Sequence, residues 1–294
     1  MPELPDITVY LECLAARVLD QPLEELVIRN PFVLRSVAPS PAEIAGARVT
    51  GLRRLGKRIV LALEGERFVV IHLMIAGRLR WQAADAKPPG KITLALARFP
   101  IGTLVLTEAG SKRRASIHLV EGEAGLEPFT RGGLEVLEAD LDTFAERLRS
   151  ENHTLKRALT DPRLFSGIGN AYSDEILHRA RLSPLALTRK LEDEAVRTLF
   201  EATRATLLDW TERLRAEAGT GFAEKVTAFR EGMAVHGRYG APCPVCGTPV
   251  QRIRYADNET NYCARCQTGG RLLADRAMSR LLREDWPRSI DEVE

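Results

Sequence analysis

Apolar residues recur at helical spacing near the start of the chain. They lie three or four positions apart: Ile7, Tyr10, Leu11, Leu14 and Val18. This period is typical of an amphipathic helix, and the carboxylate of Asp6 suits the amino-terminal end of a helix. The pattern predicts one helix over 6–19, directly after the short segment Pro2-Glu3-Leu4-Pro5.

Short runs of β-branched and aliphatic residues then follow as far as residue 120. Turn residues separate the runs, for instance Glu64-Gly65-Glu66 and Pro100-Ile101-Gly102. Short runs joined by short turns predict antiparallel strands, here an antiparallel sandwich of two sheets. The predicted strands are 26–28, 58–63, 68–73, 92–96, 103–106 and 117–120.

A segment rich in glycine, 122–133, separates the strands from a helical region. It contains Pro128 and four glycines, which is typical of an interdomain linker. Beyond it the apolar period becomes helical, with breaks at Pro162 and at 166–170, and the last helix ends before Pro287. The predicted helices are 134–148, 153–160, 171–181, 191–216 and 272–283.

Composition places the chain among globular proteins. Of 294 residues, 45% are hydrophobic and 28% charged, and no run of 18 apolar residues or basic-then-apolar leader occurs. We therefore expect a soluble cytoplasmic protein that does not enter a membrane. The net charge is only +2, so a surface that binds nucleic acid must come from local clustering of basic residues.

Four of the five cysteines are paired near the carboxyl end. Cys243-x2-Cys246 is followed after sixteen residues by Cys263-x2-Cys266, a spacing that matches four-thiolate structural zinc sites. Such a site has no open position, so the zinc would fold the module without performing chemistry. Free thiols in a reduced compartment are the alternative, and Cys13 is interpreted as a core residue.

The segment around these cysteines is basic. Residues 232–280 contain seven arginines against Asp257, Glu259 and Asp275. This excess favours a finger that faces phosphate groups. A solvated basic surface remains the alternative interpretation.

The first residues contain a candidate nucleophile. Proline is small enough to permit removal of Met1, which would leave Pro2 with a free secondary amine. An α-amino group titrates near pH ~7.7–8, whereas a lysine amine must be desolvated or placed beside cations to reach that range. Attack on a sugar C1′ would give an iminium, and Glu3 could shuttle protons. The alternative is a stiff entry into a helix.

Other candidate sites are weaker when taken alone. Residues 167–170 form a glycine-rich turn in which Asn170 and free helix N–H groups could face a phosphate, or simply connect two helices. Lys57 lies at a turn, Ile75 follows a strand, and Arg113 lies at a basic hairpin tip. A solvated charge, a core residue and a soluble turn are their ordinary interpretations.

In this order, the motifs resemble the Fpg/Nei family of DNA glycosylases, formamidopyrimidine-DNA glycosylase and endonuclease VIII. The resemblance covers nearly the whole chain and rests on the Pro-Glu start, the sandwich, the loop 167–172 and the finger from Gly237 to Gln267. It implies an α+β multidomain fold: an amino-terminal helix plus antiparallel β-sandwich, a helix-two-turn-helix domain and a four-cysteine zinc finger. The corresponding domains are 1–125, 134–230, 231–270 and a carboxy-terminal helix and tail, 271–294.

The resemblance implies an activity and its catalytic residues. Damaged, oxidised bases would be excised and the abasic strand cleaved, with Pro2 as the Schiff-base nucleophile, Glu3 as the general acid/base and Lys57 near the phosphate of the cleaved sugar. The imine would acidify the C2′ protons, so that β-elimination cuts the strand, and a second elimination can follow. One structural zinc and no redox cofactor are expected.

The resemblance also implies residues that hold DNA. Lys156 and Asn170 would bind phosphate. A base inside a duplex must be flipped out at a cost of a few kcal/mol, and Ile75 and Arg113 would fill the gap that the flipped nucleotide leaves.

Several positions depart from the family pattern. Asp6 replaces a usual Glu, 72–77 replaces the more usual HLGMSG, and Ala115 stands where formamidopyrimidine-DNA glycosylases have an aromatic residue. The connector 219–235 is shorter than the loop that covers a flipped 8-oxoguanine, and the stretch after Gln267 is longer than is typical. The damaged base is therefore left open.

The finger carries the most pointed departure. Counting from Cys263, Asn258 stands where the family has an arginine that binds phosphate. Asp257 and Glu259 beside it would repel phosphate, so we expect Arg254 or Arg252 to hold the DNA backbone instead. Asn258 would then be free to meet a different lesion or DNA structure, including a single-stranded one.

Two other functions compete with a glycosylase. A damage- or structure-specific DNA-binding protein with reduced or altered catalysis would tolerate the change at Asn258, whereas the presence of Pro2, Glu3 and Lys57 opposes it. A zinc-finger regulator would not need a free terminal amine. The expected partner is DNA, as damaged duplex or single strand, bound by a monomer at the nucleoid.

Overall fold

The computed structural model describes residues 1–110, 112–224, 226, 229–255 and 258–292. The chain divides into two compact units. Unit 1 contains Met1–Arg131 and Trp210–Thr227, and unit 2 contains Gly132–Asp209 and Ala228–Glu294. The division into four domains stays a prediction. In the structure Trp210–Thr227, which lies within the predicted domain 134–230, belongs to the same unit as the sandwich.

Helix α1 begins unit 1 and spans Leu4–Val18. It starts two residues before the predicted position because Glu3 acts as its N-cap: the Glu3 side chain accepts the Asp6 N–H, and the Asp6 side chain accepts the Glu3 N–H. This reciprocal pair satisfies two N–H groups that a helix start otherwise leaves unpaired. One face of α1, including Ile7, Tyr10 and Leu14, is fully buried.

Two four-stranded antiparallel sheets form the sandwich of unit 1. Their strand orders are β1-β6-β7-β5 and β2-β3-β4-β8. Apolar side chains of both sheets and of α1 pack between them in one core cluster. The strands are β1 Glu25–Ile28, β2 Val49–Leu55, β3 Arg58–Leu63, β4 Arg67–His72, β5 Gly77–Gln82, β6 Thr93–Phe99, β7 Gly102–Glu108 and β8 Ser116–Glu121.

All six predicted strands are present, but β2 and β5 were missed. Both are edge strands, and edge strands commonly carry charged residues that discourage pairing with other chains. The arginines of β2, Arg53 and Arg54, and those of β5, Arg78 and Arg80, dilute the apolar signal.

Two connections between the sheets run side by side. The end of β4 pairs with the start of β8, His72 opposite Ser116, and the start of β5 pairs with the end of β7, Gly77 opposite Glu108. The β4–β5 connection, 73–76, and the β7–β8 connection, 109–115, therefore both join the β4–β8 pair of one sheet to the β5–β7 pair of the other sheet. Their tips project from the same end of the sandwich.

Four main helices build the first part of unit 2: α2 Leu141–Ser150, α3 Leu155–Thr160, α4 Asn170–Arg179 and α5 Asp193–Ala218. The prediction of helix from 134 was wrong for its first seven positions, because the Asp140 carboxylate caps α2 by accepting the Thr143 N–H. The predicted linker 122–133 is partly ordered, with a 3-10 helix over Glu123–Phe129 and a buried Leu126.

The carboxy-terminal part of unit 2 is a hairpin, a turn of helix and an extension that packs on both. β9 Gln251–Tyr255 pairs with β10 Asn258–Tyr262, followed by α6 Ala264–Thr268 and α7 Arg276–Leu282. The strands β9 and β10 were not among those predicted, and α7 is shorter than predicted. The Asp275 carboxylate accepts the N–H of Arg254 on β9 and the N–H of Met278 in α7, so the extension is tied to the hairpin.

Among the described residues, no helix combines the length and the apolar character needed to cross a membrane.

Candidate active site

The start of α1 holds two carboxylates in fixed positions beside Pro2. The Glu3 N–H donates to Asp6 Oδ2 at 2.8 Å, and the Glu3 side chain accepts the Asp6 N–H. Both acidic side chains are buried, as is Pro2. Asp6, the departure from the family pattern, therefore acts as the partner that orients Glu3.

The terminal amine lies in an environment that disfavours its charged form. Burial lowers the pKa of the Met1 amine, and the positive charges of Arg78 and Lys57 lower it further, while Glu3 and Asp6 act in the opposite direction. The structure thus brings the amine, Glu3 and Lys57 into one electrostatic neighbourhood. A lowered pKa means that more of the amine is neutral, and so nucleophilic, near pH 7.

Arg78 is the residue of this neighbourhood that sequence reasoning missed. It lies at the start of β5, and its guanidinium donates to the carbonyls of Ile75 at 3.1 Å and Gly77 at 2.7 Å. The only available signal was the alternation of arginine with apolar residues in Gly77-Arg78-Leu79-Arg80, which indicates an edge strand and does not indicate a catalytic neighbour.

Lys57 lies in the turn that joins β2 to β3, where Gly56 adopts a positive φ of 60°. Its charge also reaches His72, which pairs with Arg58 across β3 and β4. Burial first, then the charges of Arg58, Lys57 and His118, lower the pKa of His72 to about 4. His72 is consequently neutral at physiological pH.

Ile75 and Arg113 lie on the two adjacent connections of the sandwich. Ile75 is 61% exposed although it is large and apolar. The turn beyond it requires Gly77, because a Cβ there would lie 2.3 Å from the Leu73 carbonyl oxygen. In the second connection the buried Glu108 carboxylate accepts the N–H groups of Arg114 and Ala115 at 2.9 and 3.0 Å. The structure thus places both predicted gap-filling residues at one end of the sandwich.

In unit 2 the start of α4 gathers the two predicted phosphate ligands. Lys156 Nζ donates to the Asn170 carbonyl at 2.7 Å, to Ser173 Oγ at 2.8 Å and to Asp174 Oδ1 at 2.5 Å. The other oxygen of Asp174 lies 2.7 Å from His236 Nδ1. Lys156 is thus held at the amino-terminal end of a helix, where anions bind favourably.

The finger hairpin meets the same helix end. Asn170 Nδ2 donates to the Glu259 carbonyl at 2.9 Å. The Glu259 carboxylate lies 3.4 Å from both Arg252 and Arg254, and Arg252 also stacks over the Tyr239 ring at 4.0 Å. Both arginines proposed to hold phosphate are therefore paired with Glu259.

The register of the hairpin separates Asn258 from these arginines. Asn258 pairs with Tyr255, and Glu259 with Arg254. Because successive side chains of a strand point to opposite faces, Asn258 lies on the face opposite to Arg254. Asp257, the other acidic residue that we expected to repel phosphate, lies outside the described residues.

The four predicted metal ligands converge. The Sγ atoms of Cys243, Cys246, Cys263 and Cys266 all lie within 4.8 Å of one another. The Cys246–Cys263 and Cys243–Cys266 separations are 3.4 and 4.0 Å. Tetrahedral Zn–S bonds of about 2.3 Å require Sγ atoms roughly 3.8 Å apart, so the cluster fits one zinc.

A buried histidine supports this cluster. His178 Nε2, on α4, lies 3.2 Å from Cys243 Sγ. An N–H donated to a metal-bound thiolate is a common means of orienting the ligand. Sequence reasoning missed His178 because it lies 65 positions before Cys243.

Comparison with known proteins gives matches along most of the chain. Three family models match: the formamidopyrimidine-DNA glycosylase N-terminal domain over 1–113, the formamidopyrimidine-DNA glycosylase H2TH domain over 133–218, and the zinc finger found in FPG and IleRS over 240–269. These matches confirm the fold class, and the finger model together with the cysteine geometry confirms one structural zinc.

Among relatives, the formamidopyrimidine-DNA glycosylase of Thermus thermophilus is 33% identical over 289 residues, covering 92% of this chain and all of that protein. An uncharacterized formamidopyrimidine-DNA glycosylase-like protein of Mycobacterium tuberculosis is 44% identical over 151 residues, covering 51% of this chain and 94% of that protein. A Lactococcus lactis Fpg solved with abasic-site DNA has the same fold, with a TM-score of 0.79 at 23% identity, covering 90% of this chain and 99% of that one. This chain belongs to the formamidopyrimidine-DNA glycosylase family of DNA repair enzymes.

Proposed function

We propose that this protein excises damaged bases from DNA and cleaves the resulting abasic strand through the amine of Pro2. The observation that carries the proposal is the position of Pro2, which is buried directly beside the fixed carboxylate of Glu3. Burial, Arg78 and Lys57 lower the pKa of the Met1 amine one residue earlier, and the Pro2 amine that removal of Met1 creates would lie near the same charges. No lysine is needed as the nucleophile, because this amine is more readily neutral than a lysine side chain.

Each catalytic residue has one role in the proposed reaction. After removal of Met1, the neutral Pro2 nitrogen attacks C1′ of the damaged nucleoside, and the bond from C1′ to the base breaks as the base leaves with a proton supplied through Glu3. The Pro2 nitrogen gives up its N–H proton, and the C1′–O4′ bond then opens with a proton going to O4′, which leaves an iminium between Pro2 and the ring-opened sugar. Loss of a C2′ proton then expels the 3′ phosphate by β-elimination. Lys57 neutralises charge on the phosphate that departs.

DNA would be held by residues of both units. In unit 2, the amino-terminal end of α4 would bind a phosphate, with Lys156 beside it, whose three N–H groups donate to Asn170, Ser173 and Asp174. The hairpin arginines Arg252 and Arg254 would contact phosphate by exchanging their contacts with Glu259. In unit 1, Ile75 and Arg113 would enter the gap left by the flipped nucleotide. The Lactococcus lactis relative solved with abasic-site DNA supports DNA as the partner.

The damaged base is proposed only by class. Oxidised bases fit the family, and Asn258 in place of an arginine permits a different lesion or a single-stranded site. We further propose that the protein acts as a monomer in the cytoplasm, at the nucleoid.

Borohydride trapping tests the chemistry. Incubation with abasic-site DNA and borohydride should reduce the iminium to a stable adduct, and digestion followed by mass spectrometry should locate it on the Pro2 peptide. An adduct on Lys57 would contradict the assignment. Lys57→Ala serves as the matched control, since it should slow trapping without moving the adduct.

A second function, a DNA-binding protein with reduced or altered catalysis, is favoured by one observation. Glu259 pairs with both Arg252 and Arg254, and Asn258 offers no charge to a phosphate. Binding of abasic-site DNA without any trapped adduct would support this function over the glycosylase.

A further inference from the structure

An open cleft lies on unit 1, apart from the terminal amine. Its walls come from the segment after β1, the loop before β6 and the tip of the β7–β8 connection. The lining residues include three cations, Arg29, Lys91 and Arg113, and no carboxylate. Positive charge gathered in a concave site favours the binding of an anionic ligand.

Hydrogen bonds join the segments that carry these cations. Arg113 donates to the Lys91 carbonyl at 2.8 Å, which joins the tip of the β7–β8 connection to the loop before β6. The N–H groups of Arg29 and Asn30 both donate to the Leu94 carbonyl, at 2.9 and 3.0 Å. The two sides of the cleft are thus fixed to the same sheet.

An aromatic ring projects from one wall. Phe32 is 77% exposed, in a 3-10 turn over Pro31–Val33 whose cap is the Asn30 side chain, which accepts the Phe32 N–H at 3.0 Å. The next residue, Val33, is buried in the core. Anchoring on both sides holds the Phe32 ring outward, so its exposure is a property of the fold.

Thr93, the first residue of β6, also lines the cleft. Thr93 is 6% exposed, and its Oγ1 has no hydrogen-bond partner among the described residues. Buried polar atoms without a partner are rare, and each one calls for a ligand or another explanation.

Aromatic rings beside cations are the usual means by which proteins bind unpaired nucleotides, with bases stacked on the rings and phosphates held by the cations. We infer that this cleft binds the nucleotide opposite the flipped one, with its base stacked on Phe32 and its phosphate held by Arg29 and Lys91. The inference rests on the proposed function, because Arg113 borders the cleft and is the residue placed in the gap. The base across that gap is the one that has lost its partner.

Binding to two duplexes tests the inference. Both carry a stable tetrahydrofuran abasic analogue in one strand, and they differ only in whether the opposite strand carries a base or a second analogue at the facing position. Affinity is measured by fluorescence anisotropy for the wild type, for Phe32→Ala and for the control Val37→Ala, a 98% exposed residue outside the cleft.

We expect the wild type and Val37→Ala to bind the duplex with a facing base more tightly, by roughly fivefold or more. Phe32→Ala should bind both duplexes equally, because the stacking surface is gone. With 5-iodouracil at the facing position, light should crosslink the wild type through the peptide that contains Phe32.

Other outcomes overturn the inference. If Phe32→Ala keeps the preference for a facing base, or weakens both duplexes by the same factor, the cleft does not bind that base. If the wild type traps abasic-site DNA but the crosslink maps elsewhere, the inference fails and the proposed function stands. If the wild type neither binds nor traps abasic-site DNA, the proposed function itself fails.

Discussion

The side-chain amide of Asn170 donates to the backbone carbonyl of Glu259 at 2.9 Å, which joins the start of α4 to the finger hairpin. Lys156 contacts the same end of α4 through the Asn170 carbonyl. One asparagine thereby links the amino-terminal end of α4 to the hairpin that carries Arg252 and Arg254.

Replacing Asn170 should therefore weaken DNA binding. A neutral hydrogen bond contributes ~0.5–1.5 kcal/mol, so Asn170→Ala should lower the affinity for abasic-site DNA by roughly 2- to 12-fold. Asn170→Asp has the same shape but cannot donate, and it should lose at least as much. An aspartate variant that binds like the wild type in an anisotropy titration would show that the contact with Glu259 is not needed.

Glu3→Gln should impair base excision more than cleavage of a preformed abasic site, because expulsion of a base needs more help from a proton donor. General acid–base catalysis contributes roughly 10²- to 10⁴-fold, and the amide oxygen of glutamine can still accept the Asp6 N–H that caps α1. Single-turnover rates on the two substrates provide the measurement. Glu12→Gln, on the exposed side of the same helix, is the control, and equal losses on both substrates would count against the role of Glu3.

Arg78→Gln should shift the pH dependence of iminium trapping to higher pH. The Arg78 charge lowers the pKa of the Met1 amine, and we expect it to act in the same direction on the Pro2 amine, one residue along the chain. Removing that charge should raise the pKa of the Pro2 amine, so that less of the amine is neutral at a given pH. The variant should be slower than the wild type near neutral pH and should approach it at alkaline pH.

The matched control for this pH experiment is Arg53→Gln, whose guanidinium pairs with Glu123 at 2.6 Å. It should leave the midpoint of the pH–rate curve unchanged. A midpoint that also stays constant in Arg78→Gln, with only the plateau reduced, would assign Arg78 a purely positioning role through its bonds to Ile75 and Gly77.

Cys263→Ser should abolish zinc binding and DNA affinity together, since metal binding and folding of the finger are one equilibrium. The sandwich of unit 1 should remain folded, as its core contains no finger residue. Elemental analysis gives the zinc content, with one zinc per chain expected for the wild type and for Cys13→Ala. Full DNA affinity in metal-free protein would exclude the finger from the binding surface.

Arg254→Ala should weaken binding of abasic-site DNA, and Asn258→Arg should strengthen it. A charge-assisted bond exceeds a neutral one by roughly 1–2 kcal/mol, so each change should be about 5- to 30-fold. Because the two side chains lie on opposite faces of the hairpin, the double mutant should show additive effects. A silent Arg254→Ala together with strong gains from Asn258→Arg would show that no arginine has replaced the missing one.

The sequence predicts the parts of this protein that depend on local pattern. Core strands such as β3 and β4 are continuous apolar runs and are therefore predicted as strands. The spacing of Cys243, Cys246, Cys263 and Cys266 is typical of tetrahedral zinc ligands, so the metal site is predicted as well. The bounds of β9 and β10 were not predicted because their apolar residues are sparse. Ile253 and Tyr262 pack against the extension, and arginines and polar residues occupy most other positions.

Residues that act across long sequence distances could not be found in this way. Arg78 influences the terminal amine only because β5 brings it there, and His178 reaches Cys243 from another helix. The pairing of Glu259 with Arg252 and Arg254 depends on the hairpin register. Each relationship is set by tertiary structure, which single-residue patterns do not encode.

The interleaving of the two units affects how the chain can fold during synthesis. Leu214, Ala218, Phe222 and Ala223 pack against Val9 and Cys13 of α1, and residue 226 completes the same core cluster as the sandwich strands. A nascent chain that ends at residue 131 would therefore leave one face of α1 uncovered until the ribosome has added roughly ninety further residues. Domains usually fold in order as they emerge from the ribosome. Here the amino-terminal unit should finish folding only after the end of α5 and the segment beyond it have left the ribosome. Pulse proteolysis of stalled nascent chains would show protection of α1 appearing at that chain length.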